Sequence, residues 1–281
     1  MSTEEQIHQI TYSDGYRGTF RFWPGGRRGS VLYMHGIQSH GLWFIQSAQM
    51  LAQAGLNVLL ADRRGSGLNE QDRGDVDSFR RWLADQIELV DWLTRTTGDH
   101  KVNLVGVSWG GKLVMGLAKM IPERLASLTL IAPGIFPAVD VSAMQKLRIA
   151  RAVILRNKTR FPIPLDAPEL FTGNPLRQTF IRDDTLKLTH VTGNFLYQSR
   201  RLDGFVRTIP SRLTMPIKLF LAGHEQIIDN TRTLHYFRGL RTTGIKELAF
   251  YPQACHTLEF EQDNQGFLND LREWINHATV E

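Results

Sequence analysis

The stretch Gly106-Val107-Ser108-Trp109-Gly110-Gly111 constrains this chain more than any other. It follows the apolar run Val102-Asn103-Leu104-Val105 and leads into a helical pattern, Lys112 to Met120. A G-x-S-x-G turn between a strand and a helix lifts one serine hydroxyl clear of both elements, at the C-terminal end of the strand. The flanking glycines are needed where passing chain leaves no room for a Cβ. Ser108 is therefore a candidate nucleophile. A serine hydroxyl is a poor nucleophile near neutral pH. It needs a base to take its proton, and the base needs an acid to hold its tautomer.

Candidates for both lie downstream. Cys255-His256-Thr257 follows the apolar run Leu248-Ala249-Phe250-Tyr251, which makes His256 the candidate base. Between them, Leu219-Phe220-Leu221-Ala222 ends in Gly223-His224-Glu225-Gln226-Ile227-Ile228-Asp229, which offers two carboxylates. Asp229 precedes a helical stretch, Thr231 to Leu240, so N-capping is a sufficient reason for it. His35 ends the strand-like run Val31-Leu32-Tyr33-Met34 but precedes the serine, and His224, His235 and His277 read as surface residues. The order is serine, acid, histidine, each just past a separate strand. Open α/β sheets gather reactive groups along that edge.

The rest of the chain alternates in the same way. Gln6 to Tyr12, Arg17 to Trp23, Ser30 to His35, Asn57 to Ala61 and Leu128 to Ala132 read as strands. Val76 to Thr96 carries Phe79, Trp82, Leu83, Ile87, Val90 and Leu93 at helical spacing. Gln265 to His277 reads as a surface helix with Phe267, Leu268, Leu271, Trp274 and Ile275 inward. This predicts an α/β fold with a mostly parallel sheet covered by helices on both faces. The alternation stops at Pro133-Gly134 and resumes at Ile217. The gap of about 80 residues is too long for a loop. It holds helical patterns at Ala143 to Leu155 and Leu186 to Arg201, broken by Pro162, Pro164 and Pro168. We expect a core domain of residues 1–134 and 211–281, with residues 135–210 inserted as a helical cap.

Composition narrows the class. Of 281 residues, 42% are hydrophobic and 22% charged, which suits a globular protein with a large core. The single cysteine, Cys255, excludes an intrachain disulfide and fits a reducing compartment. With no signal-peptide pattern at the start and no apolar run near the ~18 residues a membrane span needs, the cytoplasm is the expected location. The net charge of +5 is uneven. Residues 135–212 hold thirteen Lys or Arg against six Asp or Glu, so the basic excess belongs to the insertion and does not indicate nucleic acid. There is no H-E-x-x-H, no cysteine cluster and no G-x-x-x-x-G-K-[ST], so neither a metal nor a nucleotide cofactor is expected.

Taken together, these segments resemble the α/β-hydrolase family over nearly the whole chain apart from the middle. His35-Gly36-Ile37-Gln38-Ser39-His40-Gly41, Asp62-Arg63-Arg64-Gly65-Ser66-Gly67 and the Gly223 to Asn230 segment are similar to the monoacylglycerol lipase and lysophospholipase-like branch. The resemblance implies that the acid stands two residues before the apolar pair, at Glu225, where Glu replaces the usual Asp. It implies an oxyanion hole made by the backbone N–H groups of Ile37 and Trp109. The Trp109 side chain is expected to pack against the cap, and Asp62 to pair locally. A serine nucleophile disfavours the aspartate-dependent branches. The implied function is a cofactor-free serine esterase acting on a lipid with one acyl chain. Two alternatives stand beside it: a proline-releasing aminopeptidase, and a ligand receptor that keeps the same three residues. The first would need cap carboxylates to bind a free amine, and this cap is net positive. In the cap, Lys146, Arg148, Arg151, Arg156 and Lys158 alternate with Met144, Leu147, Ala150, Val153, Ile154 and Leu155. A helix of that kind can lie on an anionic lipid surface.

Overall fold

A computed structural model describes residues 4–208 and 213–278. The chain opens with β1 (Gln6–Thr11), β2 (Arg17–Trp23), β3 (Ser30–Met34), α1 (Ile45–Gln53), β4 (Asn57–Ala61) and α2 (Phe79–Thr97). It continues with β5 (Val102–Val107), α3 (Gly110–Met120) and β6 (Leu125–Ile131). The inserted stretch carries α4 (Ala143–Ile154), β7 (Arg160–Pro162), α5 (Pro175–Asp183), β8 (His190–Thr192) and α6 (Gly193–Arg207). The core resumes with β9 (Ile217–Ala222), α7 (Asn230–Gly239), β10 (Lys246–Tyr251) and α8 (Gln265–Ala278).

The main sheet has eight strands in the order β1-β2-β4-β3-β5-β6-β9-β10. The β1/β2 and β2/β4 pairs are antiparallel, and every other pair is parallel. Central strands β3, β4 and β5 are buried along their whole length. This is the mostly parallel sheet that the alternation predicts, in the α/β-hydrolase architecture that the resemblance implies. Parallel strands with helices on both faces have no wet side, and so they read as continuous apolar runs. Helix α2 starts three residues later than its pattern suggests, because Ser78 is extended and its side chain takes the Arg80 N–H as an N-cap. Helix α8 buries the five apolar residues expected to face inward.

Strand β6 pairs directly with β9, so the insertion leaves the sheet after Ile131 and rejoins it at Ile217 without disturbing the ladder. The expected return boundary at 210/211 lies outside the described residues. The helix expected over Leu186 to Arg201 begins only at Gly193. Residues His190–Thr192 pair instead with Arg160–Pro162 as a short antiparallel ribbon. Thr192 Oγ1 takes the Phe195 N–H at 3.1 Å, which sets the helix start there. Helix α5, with Pro175 in its first turn and Asn174 as its cap, was not anticipated. Among the described residues no helix is long and apolar enough to cross a membrane.

Candidate active site

Ser108 lies in the tight turn between β5 and α3 with φ at +52°, a left-handed conformation that a side chain rarely adopts. The turn is held by its own backbone. Ser108 N–H donates to the Ile131 carbonyl at 2.9 Å, and the Ser108 carbonyl accepts from Gly111 at 2.9 Å and Gly134 at 2.7 Å. Two glycines are required by space. A Cβ on Gly110 would stand 2.4 Å from the Met34 carbonyl oxygen, and one on Gly106 would stand 2.4 Å from Val114. The residue is 9% exposed, covered by the insertion rather than open at the surface as an uncapped elbow would be.

His256 follows β10, and its Nδ1 lies 2.8 Å from Glu225 Oε2. Both side chains are 1% exposed. The other Glu225 oxygen accepts the N–H groups of Ile227 at 2.7 Å and Ile228 at 3.2 Å. Burial alone would raise the Glu225 pKa. The charge and hydrogen bond of His256, together with the two backbone donors, outweigh it and hold the carboxyl below its ordinary value. Asp229 is committed elsewhere: its Oδ1 takes the Arg232 N–H at 2.9 Å and caps α7. The loop carrying Glu225 is pinned by the first residues of the insertion, through Ala138 N–H to the Ile227 carbonyl and Asp229 N–H to the Phe136 carbonyl.

His256 Nε2 is buried and makes no hydrogen bond among the described residues. It shares a narrow cleft with Ser108, Ile37 and Phe171. The His-Gly loop after β3 closes the other side of Ser108. A Cβ on Gly36 would stand 3.3 Å from Ser108 Cβ. Neither Ile37 N–H nor Trp109 N–H has a protein acceptor among the described residues.

Arg63, to which the sequence analysis gives no role of its own, holds this loop. Arg63 donates through Nη1 to the Gly36 carbonyl and through Nη2 to the Ile37 carbonyl, both at 3.0 Å. Its own backbone N–H donates to His35 Nε2 at 2.9 Å, so the proton of His35 is on Nδ1, which donates to the Gly36 carbonyl at 2.8 Å. Burial pushes the His35 pKa well below its usual value, as a neutral ring requires. Two donors thus hold the Gly36 carbonyl. In a planar trans peptide the following N–H, that of Ile37, points the opposite way. The Arg63 guanidinium is fully buried and lies 4.6 Å over the Trp109 ring. Burial lowers its pKa to about 9. Asp62 accepts from Gly41 N–H and Leu68 N–H and lies near Arg21, the local pairing expected of it.

The insertion roofs the site. Trp109 Nε1 donates to Ser199 Oγ on α6 at 2.8 Å, and its ring stacks on Phe195. Lys112, one turn into α3, pairs with Asp203 on α6 at 2.6 Å, both about 5% exposed. Breaking such a buried pair from one side costs about 3–5 kcal/mol, so this contact fastens roof to core. Asp184, at the end of α5, receives His40 Nε2 at 2.9 Å and Trp43 Nε1 at 2.8 Å. Between roof and core lies a cavity of about 880 Å³ that opens on Ser108. Its walls include Ile37, Ile149, Val153, Leu165 and Leu196. Among the described residues no group of three or more His, Cys, Asp or Glu is placed to hold a metal ion.

Residues 25–263 match the model of the Hydrolase_4 family, described as serine aminopeptidase, S33. The chain belongs to this family. Within the Hydrolase_4 family it is similar to monoglyceride lipase from Mus musculus, 23% identical over 97% of this chain and 91% of that protein. The Homo sapiens monoglyceride lipase is 22% identical over 98% and 92% of the two chains. A soluble variant of monoglyceride lipase from Saccharomyces cerevisiae, solved with a substrate analog, superposes with a TM-score of 0.87 at 17% identity, covering 100% of this chain and 97% of that one. The monoacylglycerol lipase of Paleococcus ferrophilus gives a TM-score of 0.82 at 18% identity, over 98% and 99% of the chains. The likeness of fold thus extends over the insertion as well as the sheet.

Proposed function

We propose that this Hydrolase_4 member hydrolyses carboxylic esters of lipids with a single acyl chain, by way of an acyl-enzyme on Ser108. The observation that carries the reading is the largely apolar cavity of about 880 Å³ ending at a serine in a strained turn. A volume of that size suits one alkyl chain, because ligand pockets of about 300–1,000 Å³ take most of a drug-sized molecule. Similarity to monoglyceride lipases along the whole chain supports the same reading.

In this account His256 Nε2 takes the proton of Ser108 as its oxygen attacks the ester carbonyl. Glu225 holds the Nδ1–H tautomer and stabilises the imidazolium. The carbonyl oxygen becomes an oxyanion held by the N–H groups of Ile37 and Trp109. The tetrahedral intermediate collapses as His256 returns the proton to the departing alcohol. Water, deprotonated by the same histidine, then attacks the acyl-Ser108 ester, releases the fatty acid and restores the serine. No metal or cofactor enters these steps. The basic outer face of α4 meets the lipid surface from which the substrate is drawn, and the single cysteine suits work in the cytoplasm.

The family's description favours a second reading, an aminopeptidase. A free amine needs an unpaired carboxylate in the cavity. Among the described residues the two that line it, Asp140 and Asp203, are paired with Lys146 and Lys112. The test is turnover of a monoacylglycerol against a proline anilide by wild type and Ser108→Ala. Ester turnover lost in the variant supports the proposal. Anilide turnover without ester turnover overturns it.

A further inference from the structure

One wall of the cavity is strongly basic. Lys112, Arg200, Arg207 and Arg232 line it, from α3, α6 and α7, around a single buried carboxylate, Asp203. Lys112 Nζ pairs with Asp203 Oδ1 at 2.6 Å, while Arg200 and Arg207 reach Oδ2 only at 3.5 and 3.7 Å. Arg207 also donates to the Ile135 carbonyl. The guanidinium carbons of Arg207 and Arg232 lie 4.7 and 4.8 Å from the Phe136 ring centre. At the rim, Lys146 and Asp140 pair with each other. With Asp203 and Asp140 each matched to a lysine, Arg200 and Arg207 share only the far oxygen of Asp203, and Arg232 has no carboxylate partner among the described residues. Burial is the main reason that the Arg207 pKa is lowered; Asp203 acts against it, and Arg200 and Arg232 add repulsion.

The wall is close to the chemistry. Trp109, the residue after Ser108, donates to Ser199 Oγ, and Lys112 Nζ meets the same oxygen at 3.3 Å. Lys112 is four residues beyond Ser108, a helical rise of about 6 Å. A substrate whose ester carbonyl sits at Ser108 therefore carries its next few atoms alongside α6. Guanidinium groups match phosphate and carboxylate oxygens in pairs, and they do so best in a site partly shielded from water.

We propose that this wall is an anion subsite, and that the preferred esters carry an oxyanion, a phosphate or a carboxylate, bound by Arg200, Arg207 and Arg232. The inference rests on ester hydrolysis at Ser108 and narrows its substrate class. It sets this cavity apart from one that holds an uncharged glycerol.

The test compares three esters of one acyl chain: an acylglycerol, an acylglycerate and an acylglycerol phosphate. They are presented in neutral detergent micelles, so that attraction of the outer cap to a charged surface plays no part. The subsite predicts that at least one anionic ester is turned over with kcat/KM roughly tenfold or more above the neutral one, chiefly through KM. Which of the two is preferred identifies the anion. Arg200 and Arg232 are exposed, so the double variant Arg200→Glu, Arg232→Glu is expected to fold. It should bring the anionic-to-neutral ratio down to one or below. Turnover of the neutral ester with no anionic preference, or a ratio unchanged in the double variant, overturns this inference and leaves the ester hydrolase standing. Turnover of none of the three overturns both.

Discussion

Glu225 and His256 meet through a 2.8 Å contact between Oε2 and Nδ1, with both side chains withdrawn from water. A carboxylate removed from solvent and still held ionised is one that its partners have claimed. Two backbone N–H groups and one imidazole do so here.

Glu225→Gln removes the charge and keeps the shape. It should lower kcat by roughly 10^2–10^4, because an amide neither fixes the tautomer nor stabilises the imidazolium. Asp229→Asn should keep most of the activity, since Asn caps a helix about as well as Asp. Steady-state kinetics on a soluble p-nitrophenyl ester compares the two. A large loss at Asp229 with little at Glu225 would reverse the assignment.

Arg63 should act as a positioning residue for the oxyanion loop. Arg63→Lys keeps a charge but has one donor head, which cannot bridge the Gly36 and Ile37 carbonyls as Nη1 and Nη2 do. Losing one oxyanion donor outright costs about 10^2–10^3 in kcat. A loosened donor should cost less, roughly tenfold to a hundredfold, with KM changed little. Loss confined to KM would argue that the loop shapes binding instead.

Glu259 offers a stability test. It is fully buried, and its pKa is raised to about 7, by burial first, against the hydrogen bonds from Ser47 N–H and Oγ. A carboxyl raised in the folded state contributes stability that is fully present below its unfolded pKa. That stability is lost as pH climbs from there through about 7. Over that window the loss amounts to about 3 kcal/mol. Glu259→Gln has no such titration, so its stability relative to wild type should rise between pH 5 and pH 8. Urea unfolding at the two pH values measures it, and a constant difference would contradict the expectation.

The outer face of α4 carries Met144 and Leu147, both more than half exposed, beside exposed Arg148 and Arg151. Reversing Arg148, Arg151 and Arg156 to Glu should weaken co-sedimentation with anionic vesicles. Each basic group near such a surface is worth about 1 kcal/mol, and salt screens the effect. Equal sedimentation of variant and wild type, at low and high salt, would leave α4 as a solvated face.

The parts of this molecule that local chemistry determines were legible in its sequence. The strand, turn and helix around Ser108 and the capping role of Asp229 each depend on residues within one turn of chain. What was not legible depends on distant contacts. Arg63 and Arg64 are neighbours of the same type, yet one turns in to the Gly36 and Ile37 carbonyls and the other to Asp85. No spacing rule distinguishes them. The helix expected from Leu186 lost its first seven residues because Thr192 found a capping geometry and His190 to Thr192 found strand partners at Arg160–Pro162. The basic wall of the cavity joins residues from three helices that lie far apart in sequence.

Every step proposed above begins with Ser108 as the nucleophile. Reaction with a fluorophosphonate, followed by peptide mass spectrometry, tests that directly. We expect one adduct, on the peptide containing Ser108. Ser108→Ala should lose both the label and the esterase activity, by on the order of 10^4-fold or more, with its unfolding transition little changed. An adduct on any other serine, or a Ser108→Ala protein that still turns over esters, would contradict the mechanism.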